Sequence, residues 1–365
     1  MRRIAIVMAG GSGERFWPLS RLHRPKQLLN LASPDRTLLA QTVDRLQPTF
    51  AAENIFIATA PHLVAPSQSA LPELPAGNVQ AEPHKRNTAG CLIWVAANLL
   101  AQDADARSSV TMAVIAADHR ISPDDRFRDT IDTALGVAES TGGIVTIGIP
   151  PSRPETGYGY IEADSGRTAL GTSLVPVLPV RQFREKPDHS TAEAFLVHGG
   201  FYWNSGTFFW TLATFLTELE LAAPELYAAT MRIAELLRSG DQTMADEAFA
   251  ALPSISIDYA LMEKARTVYV AKAAFDWDDV GAWDALDRSL SPDSAGNVVR
   301  GDVHAVESSQ SIVINESATM TVCTLGVEGL VVVVTEDAVL VLPKDRAQDV
   351  RRVVESVRAQ SPEKI

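Results

Sequence analysis

The tightest constraint on this chain lies at its amino end. An apolar run, Ile4 to Val7, has the length and β-branched character of a buried strand. It feeds directly into MAGGSGERFWPLSRLHRPKQLL, Met8 to Leu29. Gly10, Gly11 and Gly13 permit positive φ and close backbone approach, so successive N–H groups can converge on an anionic oxygen. Arg15, Arg21, Arg24 and Lys26 surround that loop, and residues 1 to 26 carry six Lys or Arg against one acid, Glu14. The chain as a whole is acidic, with 32 Lys+Arg against 45 Asp+Glu and a net charge of −13. That balance argues against nucleic acid or an anionic membrane as partner, so an anionic ligand needs this local enclave. The simplest reading is a polyphosphate site, with backbone donors for geometry and Arg/Lys for charge. Two familiar glycine motifs do not fit. A dinucleotide fingerprint needs a third glycine where this chain has Phe16, and a P-loop needs a Gly-Lys-Ser/Thr end that is absent.

Downstream, the pattern alternates. Thr37 to Leu46 predicts an amphipathic helix, Asn54 to Thr59 a buried strand, and the proline-rich, polar residues 61 to 79 a connection over the surface. An apolar helix opens after AEPHKRNTAG and runs to about Leu100, followed by strand Val110 to Ala117, helix Arg126 to Glu139 and strand Gly143 to Ile149. Thr211 to Leu237 reads as helix broken at Pro224, and Ser256 to Ala265 as a helix capped by Ser256 with Asp258 in its first turn. This rhythm predicts a Rossmann-like α/β domain over residues 1 to 292, a mixed, mostly parallel sheet flanked by helices. From 293 to 365 the texture changes to short β stretches such as SIVIN and LVVVVT. They predict a small β-rich domain, with a short left-handed β-helix as one form, ending in a helix from Lys344 to Ala359. Cys91 and Cys323 show neither metal spacing nor a disulfide framework, and no apolar run approaches membrane-spanning length. A soluble, cytoplasmic protein is expected.

Asp118 closes the strand Val110 to Ala117, at the end where open α/β sheets bind ligands. It can hold Mg²⁺, which takes one or two carboxylates plus phosphate oxygens, or simply satisfy turn backbone. His119 reads as structural, because the seven histidines show no zinc-type pairing.

The glycine loop, RFWPLSR and RPKQLL together resemble the sugar nucleotidyltransferases, and FWPLSR-x-x-x-PKQ is most similar to the mannose-1-phosphate guanylyltransferases. The resemblance implies that Gly10, Gly11 and Gly13 wrap a nucleoside triphosphate while Arg15 and Lys26 stabilise its phosphates during reaction. It assigns Glu82, Pro83, Asn87 and Thr88 to the nucleobase. A carboxylate such as Glu82 suits guanine, which offers N1–H and an amino group side by side, whereas an amide better suits uracil or thymine. Alternatively, Thr88 caps a helix and Glu82 is solvated. ETGYGYIE, FREKPD and FYWNSGTFFW resemble the sugar-phosphate half of the family, implying Gly159, Glu185 and Asn204 at sugar hydroxyls and Lys186 at the sugar phosphate. The family's second metal aspartate is matched by Asp279 in AFDWDDVGAW, beside Asp276 and Asp278. The implied reaction joins GTP and mannose 1-phosphate into GDP-mannose and pyrophosphate, with Mg²⁺ on Asp118 and Asp279. Another triphosphate and sugar phosphate, or a non-catalytic nucleotide-sugar-binding subunit, are the alternatives. Longer relatives add an isomerase domain, so mannose-6-phosphate isomerase activity is not expected here. The carboxyl-terminal unit is suited either to form a homodimer or to cap the catalytic domain.

Overall fold

Strand β1 (Arg2–Met8) is apolar at consecutive positions because both its faces are covered. Ile4 and Ile6 enter one core cluster with Leu92 and Phe215, while Ala5 and Val7 point the other way among Leu39, Ile57 and Ile131. Alternation of Cβ direction makes the division, and double-sided burial is the mark of a strand between two helical layers. The computed structural model describes residues 1–365 apart from Pro34.

β2 (Ile55–Thr59), β3 (Val79–Ala81) and β4 (Val110–Ala116) join β1 in the order β3-β2-β1-β4, all parallel. The chain continues through β5 (Arg120–Ser122), β6 (Ile144–Ile149), β7 (Tyr160–Ala163), β8 (Leu170–Gly171), β9 (Pro176–Arg184), β10 (Phe201–Thr211), β11 (Val268–Lys272) and β12 (Asp276–Asp278). The ten-stranded sheet runs on as β4-β10-β6-β11-β9-β7, with β8 against β9. β10 is antiparallel to β4 and β6, whereas β11 lies parallel to β6. β5 and β12 form a separate antiparallel ribbon. The expected mixed α/β sheet flanked by helices is therefore present, but it is parallel only over β3-β2-β1-β4 and between β6 and β11; antiparallel pairings through β7, β8, β9 and β10 outnumber the parallel ones, so it is not mostly parallel.

Local signals account for most helices. Thr37 caps Leu38–Leu46 by accepting from the Ala40 N–H at 3.1 Å. Helices Leu212–Ala222 and Pro224–Arg238 meet at the expected proline. Two segments differ from expectation. Residues 61 to 79 contain a helix, Val64–Ala70, whose Pro66 sits in the first turn, where a missing N–H costs nothing. Ser256 to Ala265 is not an α-helix: Asp258–Met262 forms a π turn, with the Glu263 N–H bonding to the Asp258 carbonyl at 3.0 Å. Among the described residues no helix is long and apolar enough to cross a membrane.

The carboxyl-terminal strands coil. β13 (Val298–Arg300), β15 (Ile312–Asn315) and β17 (Leu330–Val334) stack in parallel on one face, β14 (Val303–Val306) and β16 (Val322–Leu325) on another, and β18 (Val339–Pro343) closes antiparallel on β17. Val298 faces Ile312, and Ile312 faces Val331, so successive coils differ in length and leave no period in the sequence. A 3-10 turn, Lys344–Asp349, leads to the final helix, Val350–Gln360, which begins later than expected. This unit shares one core with the amino-terminal motif: Phe16, Trp17, Leu19 and Leu29 pack with Trp283, Ile312, Val331, Val350 and Val354. Phe16, the residue that spoils the dinucleotide fingerprint, meets Trp283 edge-on at 5.0 Å.

Candidate active site

β1 and β4 end together, Met8 beside Ala116. The glycine loop and Asp118 therefore leave the sheet side by side at its carboxyl edge, the ligand-binding edge of parallel sheets. Gln27 ties the PKQ segment beneath the loop, its Nε2 donating to the Ala9 carbonyl at 2.6 Å. Of the three loop glycines, Gly13 alone takes positive φ (+60°), and a Cβ there would stand 2.3 Å from the Lys26 Cβ. The positive φ expected as an option at Gly10 and Gly11 is not used. Their value is room: a Cβ on Gly11 would meet nothing within 4 Å.

Lys26 is buried, 6% exposed, and its Nζ donates to Asp118 Oδ2 at 2.8 Å and to the Asp279 carbonyl at 2.5 Å. Burial is the largest single influence and pushes the Asp118 carboxyl up, but the Lys26 ammonium, His119 and a backbone hydrogen bond together outweigh it and hold Asp118 below the usual carboxylate range. Asp279 Oδ1 accepts from the Tyr158 hydroxyl at 2.6 Å. Next to it, Val280 has φ +46°, a left-handed conformation that costs a β-branched residue about 1–3 kcal/mol. Asp278 holds it there, with Oδ1 accepting from the Val280 N–H at 2.7 Å and Oδ2 from Arg288 Nε at 2.6 Å. Asp278 is thus committed to the loop and Asp276 is exposed, while Asp279 faces the cavity.

That cavity, about 330 Å³, is lined by Gly11, Ser12, Gly13, Arg15, Lys26, Lys85, Asp118 and Asp279. Arg15 Nη1 donates to the Gly281 carbonyl at 3.4 Å, and its Nε is buried without a partner. Arg21 and Arg24, grouped by sequence with Arg15 and Lys26, do not line this cavity, although Arg21 lines an adjoining cleft with Gly10, Gly11 and Glu82. Arg21 pairs with Asp337 at 2.6 Å, and Arg24 sits near Arg300 and Glu316. His119, expected to be structural, has its Nδ1 accepting from Trp277 Nε1 at 3.1 Å and also lines this cavity.

A neighbouring cavity of about 360 Å³ is lined by Gly10, Gly11, Glu82, Lys85, Asn87, Thr88 and Cys91. Pro83 lines an adjoining cleft that shares Gly10, Gly11 and Glu82. Burial pushes the Glu82 carboxyl up to about 7, partly offset by a hydrogen bond with the Cys91 thiol. Asn87 adopts φ +61° and accepts from the Thr88 N–H at 2.8 Å. Thr88 does not cap its helix; its Oγ1 accepts from the Ile257 N–H at 2.8 Å and ties this segment to the π turn.

The remaining residues gather where β7 lies between β9 and β10, with Tyr160 opposite both Arg184 and Trp203. That register makes neighbours of Gly159, Glu185 and Asn204. A Cβ on Gly159 would stand 2.5 Å from Glu185 Oε2, and Lys186 Nζ donates to Glu185 Oε1 at 2.5 Å. Asn204 Nδ2 donates to Asp258 Oδ1 at 2.9 Å. Burial, and then the Glu185 charge, push the Asp258 carboxyl up to about 6. Asp258, Tyr158 and Lys85 were missed by sequence reasoning. Asp258 sits in a stretch read as helix, and no local pattern announces a π turn. Tyr158 passes for core, yet its ring lies 5.3 Å from both Trp203 and Trp277 while its hydroxyl reaches Asp279, linking this group to the phosphate-sized cavity.

Comparison with known proteins gives the arrangement a lineage. Residues 4–291 match the Nucleotidyl transferase family and residues 296–357 the MannoseP isomerase/GMP-like beta-helix domain. A mannose-1-phosphate guanylyltransferase of Escherichia coli K12 is 39% identical over 97% of this chain and 73% of its own length. The alginate biosynthesis protein AlgA of Pseudomonas aeruginosa is 36% identical over 98% of this chain and 72% of its own. A crystal structure from Thermus thermophilus, described as a mannose-1-phosphate geranyltransferase, superposes with a TM-score of 0.85 at 37% identity, covering 98% of this chain and all of that one.

Proposed function

Because this chain belongs to the nucleotidyl transferase family, with mannose-1-phosphate guanylyltransferases as relatives along nearly its whole length, we propose that it joins GTP and mannose 1-phosphate into GDP-mannose, releasing pyrophosphate. One observation carries the reading: Lys26, Arg15, Asp118 and Asp279 converge on one cavity beside the glycine loop. The sugar phosphate is already an anion, so attack on the α-phosphorus needs no general base and no covalent enzyme intermediate. What opposes the reaction is repulsion between two anions, and alignment plus charge neutralisation is the protein's task. Lys26 and Arg15 provide fixed positive charge, and Gly10 to Gly13 let the backbone approach the phosphates. Glu82 in its ionised form accepts from guanine, with Pro83, Asn87 and Thr88 around the base. Gly159, Glu185 and Asn204 take the sugar hydroxyls, Lys186 its phosphate, and Asp258 joins them as an acceptor.

The donor set fits Mg²⁺: two carboxylates, Asp118 and Asp279, open on one cavity, and this ion completes its shell with phosphate oxygens and water. When bound, the ion supplies charge neutralisation and orients the triphosphate. We divide the chain at residue 292, with the catalytic domain before it, and read its location as cytoplasmic. The test is pyrophosphate release from GTP with and without mannose 1-phosphate, in Mg²⁺ and in EDTA. Release that requires both substrates and the metal is expected. Release from a different nucleotide and sugar phosphate would correct the specificity, and silence across a full matrix from folded protein would overturn catalysis.

A further inference from the structure

The cavity holding Arg15 and Lys26 has one wall that comes from the far end of the chain. Arg351, the second residue of helix Val350–Gln360, lines it with Gly13, Arg15, Lys26 and Asp279. Of the other arginines near this helix, Arg358 pairs with Glu14 at 2.7 Å and Arg346 with Asp349 at 2.6 Å, while Arg352 does not line the cavity. Arg351 is exposed, and among the described residues it has no acidic partner and no hydrogen bond. It stands close enough to Arg15 that its charge, after burial, is the next cause of a lowered Arg15 affinity for its proton. Two guanidiniums held at one cavity repel unless an anion lies between them.

The repulsion is built in. Val350 and Val354 are buried in the same core as Phe16 and Trp17, the two residues that follow Arg15. The Leu22 N–H bonds to the Ile365 carbonyl at 3.3 Å, pinning the chain end to the same segment. Arg351 and Arg15 are therefore fixed relative to each other by packing. Arg351 does not line the cavity of Glu82, Asn87 and Thr88, so it serves the end of the site away from the base.

We propose that Arg351 is a phosphate-binding residue of this active site, clamping with Arg15 the terminal phosphates of the nucleoside triphosphate and the departing pyrophosphate. The proposal rests on the nucleotidyl-transfer reading and gives the carboxyl-terminal unit a part in the site. A guanidinium held only by the ligand contributes to ligand affinity and nothing to the fold of the free protein.

The experiment compares Arg351→Met, Arg351→Lys and, as a control on the same helix, Arg352→Met in the full chain. Inorganic tripolyphosphate and GMP are titrated calorimetrically in Mg²⁺, with thermal melts alongside. Arg351→Met is expected to weaken tripolyphosphate about tenfold or more, the size of a lost charge-assisted hydrogen bond, while GMP affinity stays within about twofold. Arg351→Lys recovers part of the loss, Arg352→Met behaves as wild type, and the free Arg351→Met protein melts no lower than wild type because a repulsion is gone. In pyrophosphate release, KM for GTP rises more than kcat falls. Unchanged tripolyphosphate affinity, a parallel loss for GMP, or a lowered melting temperature of the free variant would each overturn the proposal. Tripolyphosphate carries neither base nor sugar, so this titration decides the role of Arg351 even if the guanine and mannose assignments fail.

Discussion

The two ends of this cleft treat their carboxylates in opposite ways. At the phosphate end, Asp118 touches the Lys26 ammonium at 2.8 Å and is held ionised despite burial. At the sugar end, Asp258 accepts from the Asn204 amide and a backbone N–H but touches no cation among the described residues, and burial, then the Glu185 charge, raises its carboxyl to about 6. On the proposed function, the difference matches what each end would recognise. Phosphates and a cation demand fixed full charges, whereas hydroxyls need acceptors that donate and accept in turn, and a carboxyl poised between its two forms is tolerated there. Glu82, at the base, belongs electrostatically with the sugar end, because burial dominates it too.

The contrast breaks most completely at Lys26. Lys26→Met should cut turnover by about 10²- to 10³-fold, in the range of losing one preorganised stabilising group. It also leaves the half-buried Asp118 without its cation, so that carboxyl should move up, toward the behaviour of Asp258. Pyrophosphate-release kinetics and circular dichroism on the same sample check both parts. An unchanged steady-state rate would remove Lys26 from the mechanism.

Glu82→Gln should have the next largest effect. Replacing an ionised acceptor by an amide is expected to cost about 2 kcal/mol in GTP recognition, roughly 30-fold in kcat/KM, with a smaller loss for UTP. Ionisation matters here, so wild-type KM for GTP should fall as pH rises through about 7, and the variant should lose that dependence. A parallel loss for both nucleotides would mean that Glu82 does not read the base.

How much of this was legible in the sequence divides along the same line. The phosphate end is built from contiguous chemistry, a strand, a glycine loop and PKQ, so the loop, its basic cluster and Asp118 could be read from the residues and their order, and family resemblance then singled out Arg15 and Lys26 from that cluster. Even there, composition overreached: Arg24 faces the carboxyl-terminal coil, and Arg21 pairs with Asp337 of that coil while lining the cleft beside Gly10 and Glu82, outside the cavity of Lys26. The sugar end is assembled by register across β7, β9 and β10 and by a π turn, and neither leaves a periodic trace. Asp258 and Tyr158 were invisible for that reason, although Gly159, Glu185 and Asn204 could be reached by family resemblance. Arg351 is the extreme case, carried to the cavity by a shared core and not by any motif around it.

The mildest perturbation, and the one that isolates the electrostatics, is Asp258→Asn. The folded-state carboxyl titrates near 6 against an ordinary 3.8. Between those values the folded protein binds more protons than the unfolded chain, so stability falls as pH rises through that window and is flat above it. Asparagine cannot ionise and still offers Oδ1 to the Asn204 amide. The variant should therefore match the wild type near pH 4 and exceed it above pH 6, by up to about 3 kcal/mol. Denaturant unfolding across pH 4 to 8 measures the gap. In the enzyme assay, KM for the sugar phosphate should rise by about fivefold, the size of one neutral hydrogen bond, with KM for GTP unchanged. A gap that widens toward low pH would reverse the sign and place Asp258 with Asp118, erasing the contrast between the two ends.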